Sequence, residues 1–340
     1  MGLAVLLGLG FLVYWAFLVW VTVDALLKPP RRSLAWCLSR NQPETPASLT
    51  PPRPFEEGQI PDPRNLPKAL PYWRIEGESP SGPVVIFSHG WGESRQAVLQ
   101  RLDALLPVCR EVIAWDMPGH GEAPKGRCRL GDGESDALVD LAMRAQGEDL
   151  APLEREAAEA EEELEDAADW NAILHPPPRT GAPPVVLYGF SLGAGVSLRA
   201  AAGSPERFAG LIAEAPYRMP ATPARSVMAA KGFPHLLNLR PALAFIGFIS
   251  NCGPRWRGFD RAELAGQVRC PLLVLHGEQD AMCPPEDGRA IAAAAERGEF
   301  LGLPDAGHLD IWQQDASGQA ATEAVQTFIS GLAVRSAPVQ

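Results

Sequence analysis

The segment 184–195 places a serine in the pattern Gly-x-Ser-x-Gly, with Ser191 between Gly189 and Gly193. The apolar run 185–188 precedes it and a helix-compatible stretch follows, so the order is strand, sharp turn, helix. A serine on such a tight turn has a strained backbone, and its neighbours two positions away must lack a Cβ atom. The segment predicts a nucleophilic serine at a helix start, where free N–H groups face developing negative charge.

A serine hydroxyl becomes a nucleophile only when a base takes its proton, and a third group must orient that base. His308 lies in a loop of small residues after the strand-like segment 299–303, and Asp280 lies in the loop after the apolar run 271–275. We therefore predict Ser191 as nucleophile, His308 as base and later acid, and Asp280 as the orienting carboxylate. Glu214, which ends another apolar run, is the alternative acid. We interpret His120 as a turn residue and His276 as support for the acid loop.

Five segments carry a family resemblance: 89–91 (His-Gly-Trp), 115–121 (Trp-Asp-Met-Pro-Gly-His-Gly), the Ser191 turn, 276–280 (His-Gly-Glu-Gln-Asp) and 307–308 (Gly-His). In these segments the chain resembles serine hydrolases of the α/β-hydrolase fold over about residues 72–333. Residues 115–121 are similar to the serine aminopeptidase and monoacylglycerol-lipase-like branch. The order Ser, Asp, His is also that of the family. The resemblance implies an oxyanion hole formed by the backbone N–H groups of Leu192 and Trp91.

Apolar strand candidates alternate with helical or polar stretches from residue 72 onward, which is typical of βαβ units. We predict an α/β fold with a mostly parallel sheet and helices on both faces. The pattern breaks at about 216–260, where the resemblance implies a helical cap over the active site. Ligands bind beyond the carboxyl ends of the strands in such sheets. Trp91, Ser191, Asp280 and His308 all follow strand candidates directly.

The predicted cap is rich in apolar residues. We expect five of them to line an acyl pocket, the alternative being that they form the core of the cap: Phe233, Leu236, Leu237, Phe245 and Phe248.

The first residues have a different character, because 2–23 carry no charge. Twenty-two helical residues span about 33 Å, enough for a bilayer core. A cleaved signal peptide is the alternative, but the basic start and small-residue cleavage site are missing. We predict a transmembrane anchor at 1–27. The basic residues Lys28, Arg31, Arg32 and Arg40 follow it and predict a cytoplasmic catalytic domain.

Residues 28–71 are predicted to be a basic flank and a proline-rich linker, leaving a hydrolase domain at 72–333. A chain that starts near Pro71 is then expected to be soluble and active. The net charge of −11 is concentrated in 148–169, which holds eleven acidic residues. Apolar residues at helical spacing within that run predict an acidic amphipathic helix at 148–171.

Composition excludes several classes of function. The acidic balance argues against nucleic acid. The six cysteines are scattered without metal-ligand spacing, so no metal site is expected. The predicted acyl-enzyme chemistry needs no organic cofactor. The sequence predicts a membrane-anchored serine hydrolase that cleaves carboxylic esters or thioesters of an apolar acyl group through an acyl-enzyme. The alternatives are a serine peptidase of aminopeptidase type and an inactive scaffold used for binding.

Overall fold

The computed structural model describes residues 2–63, 68–131, 133–148, 178–230, 232–313 and 315–335. Its centre is an eight-stranded sheet with the order β1-β2-β4-β3-β5-β6-β7-β8. The strands β3 to β8 pair in parallel, while β1 and β2 pair antiparallel at one edge. The strands are β1 (Phe55–Pro61), β2 (Ala69–Glu76), β3 (Val84–Ser88), β4 (Glu111–Trp115), β5 (Val185–Phe190), β6 (Gly210–Glu214), β7 (Leu272–Gly277) and β8 (Gly298–Leu303).

The helices in the described residues are α1 (Gly2–Leu27), α2 (Leu34–Leu38), α3 (Leu102–Leu105), α4 (Glu134–Ala145), α5 (Leu192–Gly203), α6 (Ala221–Ala230), α7 (Leu239–Ile249), α8 (Arg261–Ala265), α9 (Pro285–Ala294) and α10 (Asp315–Arg335). Two apolar cores form, one on each face of the sheet. The central strands β3, β5, β6 and β7 are buried along their whole length, as expected for parallel strands covered on both faces. This architecture confirms the predicted fold class.

The sheet begins earlier in the chain than predicted. Strand β1 and the first residues of β2 lie within 28–71, the segment expected to be a linker. Ile60 and Leu70 are paired across this hairpin and are almost completely buried. The many prolines of the segment hid a strand pair at the sheet edge, where proline is tolerated because the edge needs fewer backbone donors. Residues 55–71 therefore form part of the folded domain.

Helix α1 has 26 residues and a mean hydropathy of 2.3 in its most apolar window, so it is long and apolar enough to cross a membrane. Residues 2–14 are exposed, whereas Val23, Leu26 and Leu27 are buried against the domain. The predicted cap contains α6 and α7, and α1 packs against α7. The predicted acidic helix 148–171 lies outside the described residues except for Glu148, which pairs with Arg207 at 2.7 Å.

Candidate active site

Ser191 lies at the sharp turn between β5 and α5, with a φ of 52°. Positive φ is rare for a side chain other than glycine and is typical of strained functional positions. A Cβ atom on Gly189 would lie 2.3 Å from the carbonyl oxygen of Gly193, and one on Gly193 would lie 2.0 Å from that of Ser88. Both glycines are thus required by close backbone contact, which explains the Gly-x-Ser-x-Gly spacing.

Three side chains from distant loops meet at this turn. The Ser191 hydroxyl lies 3.1 Å from Nε2 of His308, and Nδ1 of His308 lies 2.7 Å from Oδ2 of Asp280. The hydroxyl donates to Nε2, and the Nδ1–H group donates to the carboxylate. Ser191 and Asp280 are nearly buried, with 7% and 6% of their surface exposed. The structure therefore brings together the three predicted residues in a hydrogen-bonded chain.

The Asp280 carboxylate is held by several donors. Oδ1 accepts hydrogen bonds from the backbone N–H groups of Met282 at 2.8 Å and Cys283 at 2.7 Å. Nε2 of His276 lies 3.3 Å from Oδ2 and 2.9 Å from the carbonyl oxygen of Cys283. Burial alone would raise the pKa of Asp280, but hydrogen bonds from His276 and His308 outweigh it, so the pKa lies well below the usual range. Asp280 is therefore ionised wherever the domain is folded near neutral pH.

Glu214, the alternative acid, is engaged elsewhere. It forms a buried ion pair with Arg101 at 2.5 Å. It also accepts hydrogen bonds from the Tyr188 hydroxyl at 2.7 Å and the Trp312 indole at 3.1 Å. These three partners occupy the carboxylate. His308 instead bonds Asp280, so the geometry favours Asp280 as the orienting residue.

The two predicted oxyanion donors are Leu192, which follows Ser191 directly, and Trp91, from the loop after β3. Leu192 is the first residue of α5, where backbone N–H groups have no partner within the helix. Trp91 lies in the loop after β3 and lines the same cavity as Ser191. His89 holds this loop by accepting a hydrogen bond from the backbone N–H of Met117 at 3.1 Å. Burial and the nearby His120 lower the pKa of His89, so its ring is neutral and suited to accept that bond.

The segment 115–121 is hydrogen-bonded to the residues that follow β3. Asp116 is fully buried and accepts hydrogen bonds from the backbone N–H groups of Arg95 at 2.7 Å and Glu122 at 2.8 Å. Burial raises the pKa of Asp116 to about 6, although the adjacent Arg95 works against the shift. His120 is buried and its Nδ1 lies 3.1 Å from the carbonyl oxygen of Pro118, consistent with a turn residue. The motif that carries the resemblance therefore has a structural role.

A cavity of about 210 Å³ opens beside Ser191 and His308. Its walls come from the end of α1 and the residues after it, from α6 and α7, and from the segments that follow β3, β4, β5, β6, β7 and β8. The apolar lining residues are Leu26, Pro30, Trp91, Leu130, Phe190, Tyr217, Pro220, Pro223, Ala224, Val227, Leu243, Met282 and Leu309. Such a mostly apolar cleft beside a polar reacting group is typical of small-molecule sites.

The predicted acyl-pocket residues do not line this cavity. Phe233, Leu236, Leu237, Phe245 and Phe248 are all exposed, with Leu236 at 87% and Phe248 at 70%. They lie on the outer surface of the cap. They therefore form neither the predicted acyl pocket nor the core of the cap, which was the alternative. Within α7, Leu243 lines the cavity, whereas Phe245 and Phe248 face away from it. Phe233, Leu236 and Leu237 lie in the segment between α6 and α7.

One charged pair at the cavity was missed from the sequence. Arg32 bonds Glu93 at 2.5 Å, and both residues line the cavity. Burial raises the pKa of Glu93, and Arg32 and Arg101 oppose the shift. The pair also borders a second cavity of about 370 Å³ that does not reach Ser191. Glu93 follows Trp91 by two residues, which is the only local signal that could have marked it.

Asp280, Cys283 and His308 offer ligand atoms within 4.8 Å of one another. Burial and the charge on Asp280 raise the pKa of the Cys283 thiol well above its ordinary value, which disfavours the thiolate that binds metal. The His308 and Asp280 atoms are already joined by a hydrogen bond. These donors therefore fit a hydrogen-bonded relay better than an ion site.

Comparison with known proteins supports this architecture. A family model described as the alpha/beta hydrolase fold matches residues 83–245. A Mycobacterium tuberculosis protein named as a non-heme bromoperoxidase, BpoC, is 29% identical over 82 residues. That match covers 24% of this chain and 29% of the relative. The chain thus spans less than a third of the relative's length in this match.

Solved structures match over most of the chain. The esterase Pf2001 of Pyrococcus furiosus superposes with a TM-score of 0.58 at 18% identity, covering 90% of this chain and 98% of the esterase. A thermophilic esterase of Thermogutta terrifontis superposes with a TM-score of 0.52 at 20% identity, covering 82% and 99%. The esterase RhEst1 of a Rhodococcus species gives 0.51 at 18% identity, covering 82% and 99%. At these identities the likeness establishes the fold.

Proposed function

The chain has the α/β-hydrolase fold, and we propose that it is a membrane-anchored serine hydrolase that cleaves carboxylic esters or thioesters through an acyl-enzyme on Ser191. The observation that carries the proposal is the hydrogen-bonded chain from Ser191 through His308 to Asp280. Three groups from three loops have no structural need to meet at a strained turn, and strain of this kind accompanies function.

The proposed reaction follows from this geometry. Ser191 Oγ attacks the carbonyl carbon of the substrate while Nε2 of His308 takes the hydroxyl proton. The oxyanion is stabilised by the backbone N–H groups of Leu192 and Trp91. His308 then gives its proton to the departing alcohol or thiol, which leaves an acyl ester on Ser191. Water, deprotonated by His308, attacks that ester, and the carboxylic acid and the free serine are released.

Asp280 acts through His308. Its carboxylate accepts the Nδ1–H group, which fixes the tautomer with an unprotonated Nε2, and it stabilises the imidazolium that forms at each transfer. Its lowered pKa keeps the carboxylate charged during the reaction. The proposed mechanism requires no metal or organic cofactor, because each proton is carried by His308.

The cavity favours an ester or thioester with an apolar acyl group over a substrate with a free amine. An aminopeptidase requires an acidic or carbonyl-lined pocket for the substrate amine. Glu93 is the acidic residue that lines the cavity, and its carboxylate is already paired with Arg32. The remaining lining is largely apolar, which suits an acyl chain. The peptidase is therefore the second candidate.

The proposed anchor is α1. Its composition and length suit a bilayer, and its C-terminal flank carries Lys28, Arg31 and Arg32. An excess of basic residues on this side supports a cytoplasmic catalytic domain. The flank is also bound to the domain: Arg31 donates to the carbonyl oxygens of Gly121 at 2.7 Å and Ala123 at 2.5 Å. The segment that follows the proposed anchor is thus hydrogen-bonded directly to the catalytic domain.

Covalent labelling with a fluorophosphonate tests the mechanism. The wild-type protein should be labelled and should hydrolyse p-nitrophenyl butyrate. Ser191→Ala should lose the label and, like other nucleophile removals, lower kcat by a factor on the order of 10³–10⁶. Ser226→Ala is the matched control, since Ser226 lies in α6 and its hydroxyl donates to the carbonyl oxygens of Thr222 and Met282, both at 3.4 Å. Equal labelling of Ser191→Ala would refute the nucleophile assignment.

Two further readouts separate the alternatives. An unlabelled wild-type protein that folds would indicate the binding scaffold. Faster turnover of aminoacyl p-nitroanilides than of p-nitrophenyl esters would favour the peptidase. In that case Glu93→Gln should abolish the amide activity, because the substrate amine would lose its carboxylate partner.

A further inference from the structure

The cap presents an exposed apolar surface directly beside α1. We call this surface the cap face and define it by Leu236, Leu237, Phe245, Phe248 and Ile249. Each of these side chains is at least 45% exposed, and Leu236 reaches 87%. Soluble surfaces rarely gather so many large apolar side chains in one place, and such a patch marks an interaction site.

The cap face is continuous with the helix proposed to enter the membrane. Trp15 of α1 donates its indole N–H to the carbonyl oxygen of Leu237 at 3.1 Å. The Asn238 amide donates to the Thr22 hydroxyl at 2.6 Å. Phe17 and Trp20 on the packed half of α1 remain more than half exposed, so the apolar surface runs from the cap onto the helix.

The exposed part of α1 is too short to cross a bilayer unless part of the cap enters the bilayer with it. Trp15 is hydrogen-bonded to the cap, and residues 2–14, which precede it, are exposed. Thirteen helical residues measure about 20 Å, whereas the hydrocarbon core is about 30 Å thick. A helix that fills the core in this arrangement must bring the first part of the cap into the bilayer with it.

The charge of the cap also favours a membrane as the partner of this surface. Residues 216–260 contain one acidic residue, Asp260, and six basic residues, in a chain whose net charge is −11. Of these, Arg225, Arg240, Arg255 and Arg257 are exposed. Basic residues next to an exposed apolar face are attracted to anionic lipid head groups when that face enters a membrane, and their long side chains allow the charge to stay at the interface.

We propose that the cap face inserts beside α1 into a bilayer containing anionic lipid, so that the cap and α1 form one membrane-embedded unit. The inference rests on the proposed anchor and adds to it. Residues of both parts, Leu26 from α1 and Val227 and Leu243 from the cap, line the cavity beside Ser191. The cavity then lies at the level of the lipid head groups, and an acyl substrate reaches it from the bilayer.

Spin labels on the full-length protein test the insertion. All six native cysteines are buried, so single introduced cysteines are labelled selectively. The protein is reconstituted in vesicles of phosphatidylcholine with phosphatidylglycerol. Collision with oxygen, which partitions into lipid, is compared with collision with a water-soluble nickel complex. The labelled positions are Phe248→Cys on the cap face, Leu7→Cys on the exposed part of α1 and Thr327→Cys on the exposed face of α10. Each variant must retain fluorophosphonate labelling.

We expect oxygen to exceed nickel severalfold at positions 7 and 248, and the reverse at 327. If 248 behaves like 327 while 7 reports lipid, the cap proposal is wrong and the anchor stands. If 7 and 248 both report water, the anchor and the cap proposal both fail, while labelling of Ser191 leaves the hydrolase assignment intact.

The basic residues have their own test on the position-248 label. The double change Arg225→Glu and Arg240→Glu should raise its nickel accessibility severalfold. Arg269→Glu should leave the nickel accessibility unchanged, because Arg269 is an exposed arginine that precedes β7, at the amino ends of the parallel strands and away from Ser191. If the nickel accessibility at position 248 is unchanged in the double variant, anionic lipid is not the partner.

Discussion

Trp91 donates its indole N–H to the carbonyl oxygen of Leu26 at 3.0 Å, so the loop that is proposed to bind the oxyanion rests on the end of α1. The backbone N–H of Cys128 makes a second bond to this end, at 2.8 Å to Leu27. Helix α1 is therefore part of the cavity wall as well as the proposed anchor. Detaching it should affect the reaction itself.

Deletion of residues 2–27 should lower kcat/KM for p-nitrophenyl butyrate in detergent by about tenfold to a hundredfold, the scale of small misplacements at an active site. The physical reason is the loss of Leu26 beneath Trp91 and of its contact with the cavity. Deletion of residues 2–13 is the matched control, since these residues are exposed. It should leave kcat/KM unchanged. Equal activity of both truncations would show that α1 has no part in the site.

The acid assignment predicts different effects for two carboxylates. Asp280→Asn should lower kcat by about 10⁴-fold, because the amide stabilises the wrong tautomer of His308. Glu214→Gln should retain catalysis while lowering the free energy of unfolding by about 3–5 kcal/mol, because Arg101 would be left buried without its partner. Initial rates and thermal unfolding of both variants check this. An inactive but stable Glu214→Gln variant would reverse the assignment.

Ser191, His308 and Asp280 could be predicted from the sequence because each of them has a local signature. Ser191 has its flanking glycines, and Asp280 and His308 each follow a strand in a short loop. The fold class followed in the same way from the alternation of apolar runs. These signals depend only on near neighbours in the chain.

The cavity could not be predicted, because it is assembled from segments that are far apart. Leu26 and Val227 reach the same cleft as Ser191 only after the chain has folded. The rotation of α7, which hides Leu243 and exposes Phe245, depends on its packing against α1. The hairpin of β1 and β2 was missed because prolines at a sheet edge resemble those of a linker.

A buried carboxyl predicts a specific pH dependence of stability. Burial raises the pKa of Glu134 from 4.5 to about 7, although backbone N–H groups of Arg129 and Gly131 donate to it. The folded state therefore binds a proton between these values that the unfolded state releases. This contribution is fully present below pH 4.5 and is lost as the pH rises to about 7.

Glu134→Gln, which mimics the protonated carboxyl, should remove that contribution. The free energy of unfolding of the wild type minus that of the variant should fall as pH rises through this window, at up to about 1.4 kcal/mol per pH unit. Denaturant titrations at a series of pH values measure the difference. Asp116 titrates in the same range in both proteins and cancels in the subtraction. A difference that does not vary with pH would contradict the raised pKa.

The cavity walls predict the acyl preference. Each methylene buried beside Val227 and Leu243 should add about 0.8 kcal/mol of binding, or roughly fourfold in kcat/KM, until the cavity is filled. Val227→Phe should narrow the cavity and lower activity on hexanoate and octanoate esters more than on acetate. Phe245→Ala is the control, because Phe245 is 52% exposed and lies outside the cavity. Its chain-length profile, measured in detergent with p-nitrophenyl esters, should match that of the wild type. If Phe245→Ala flattens the profile and Val227→Phe does not, the acyl chain binds on the outer cap and not in the cavity beside Ser191.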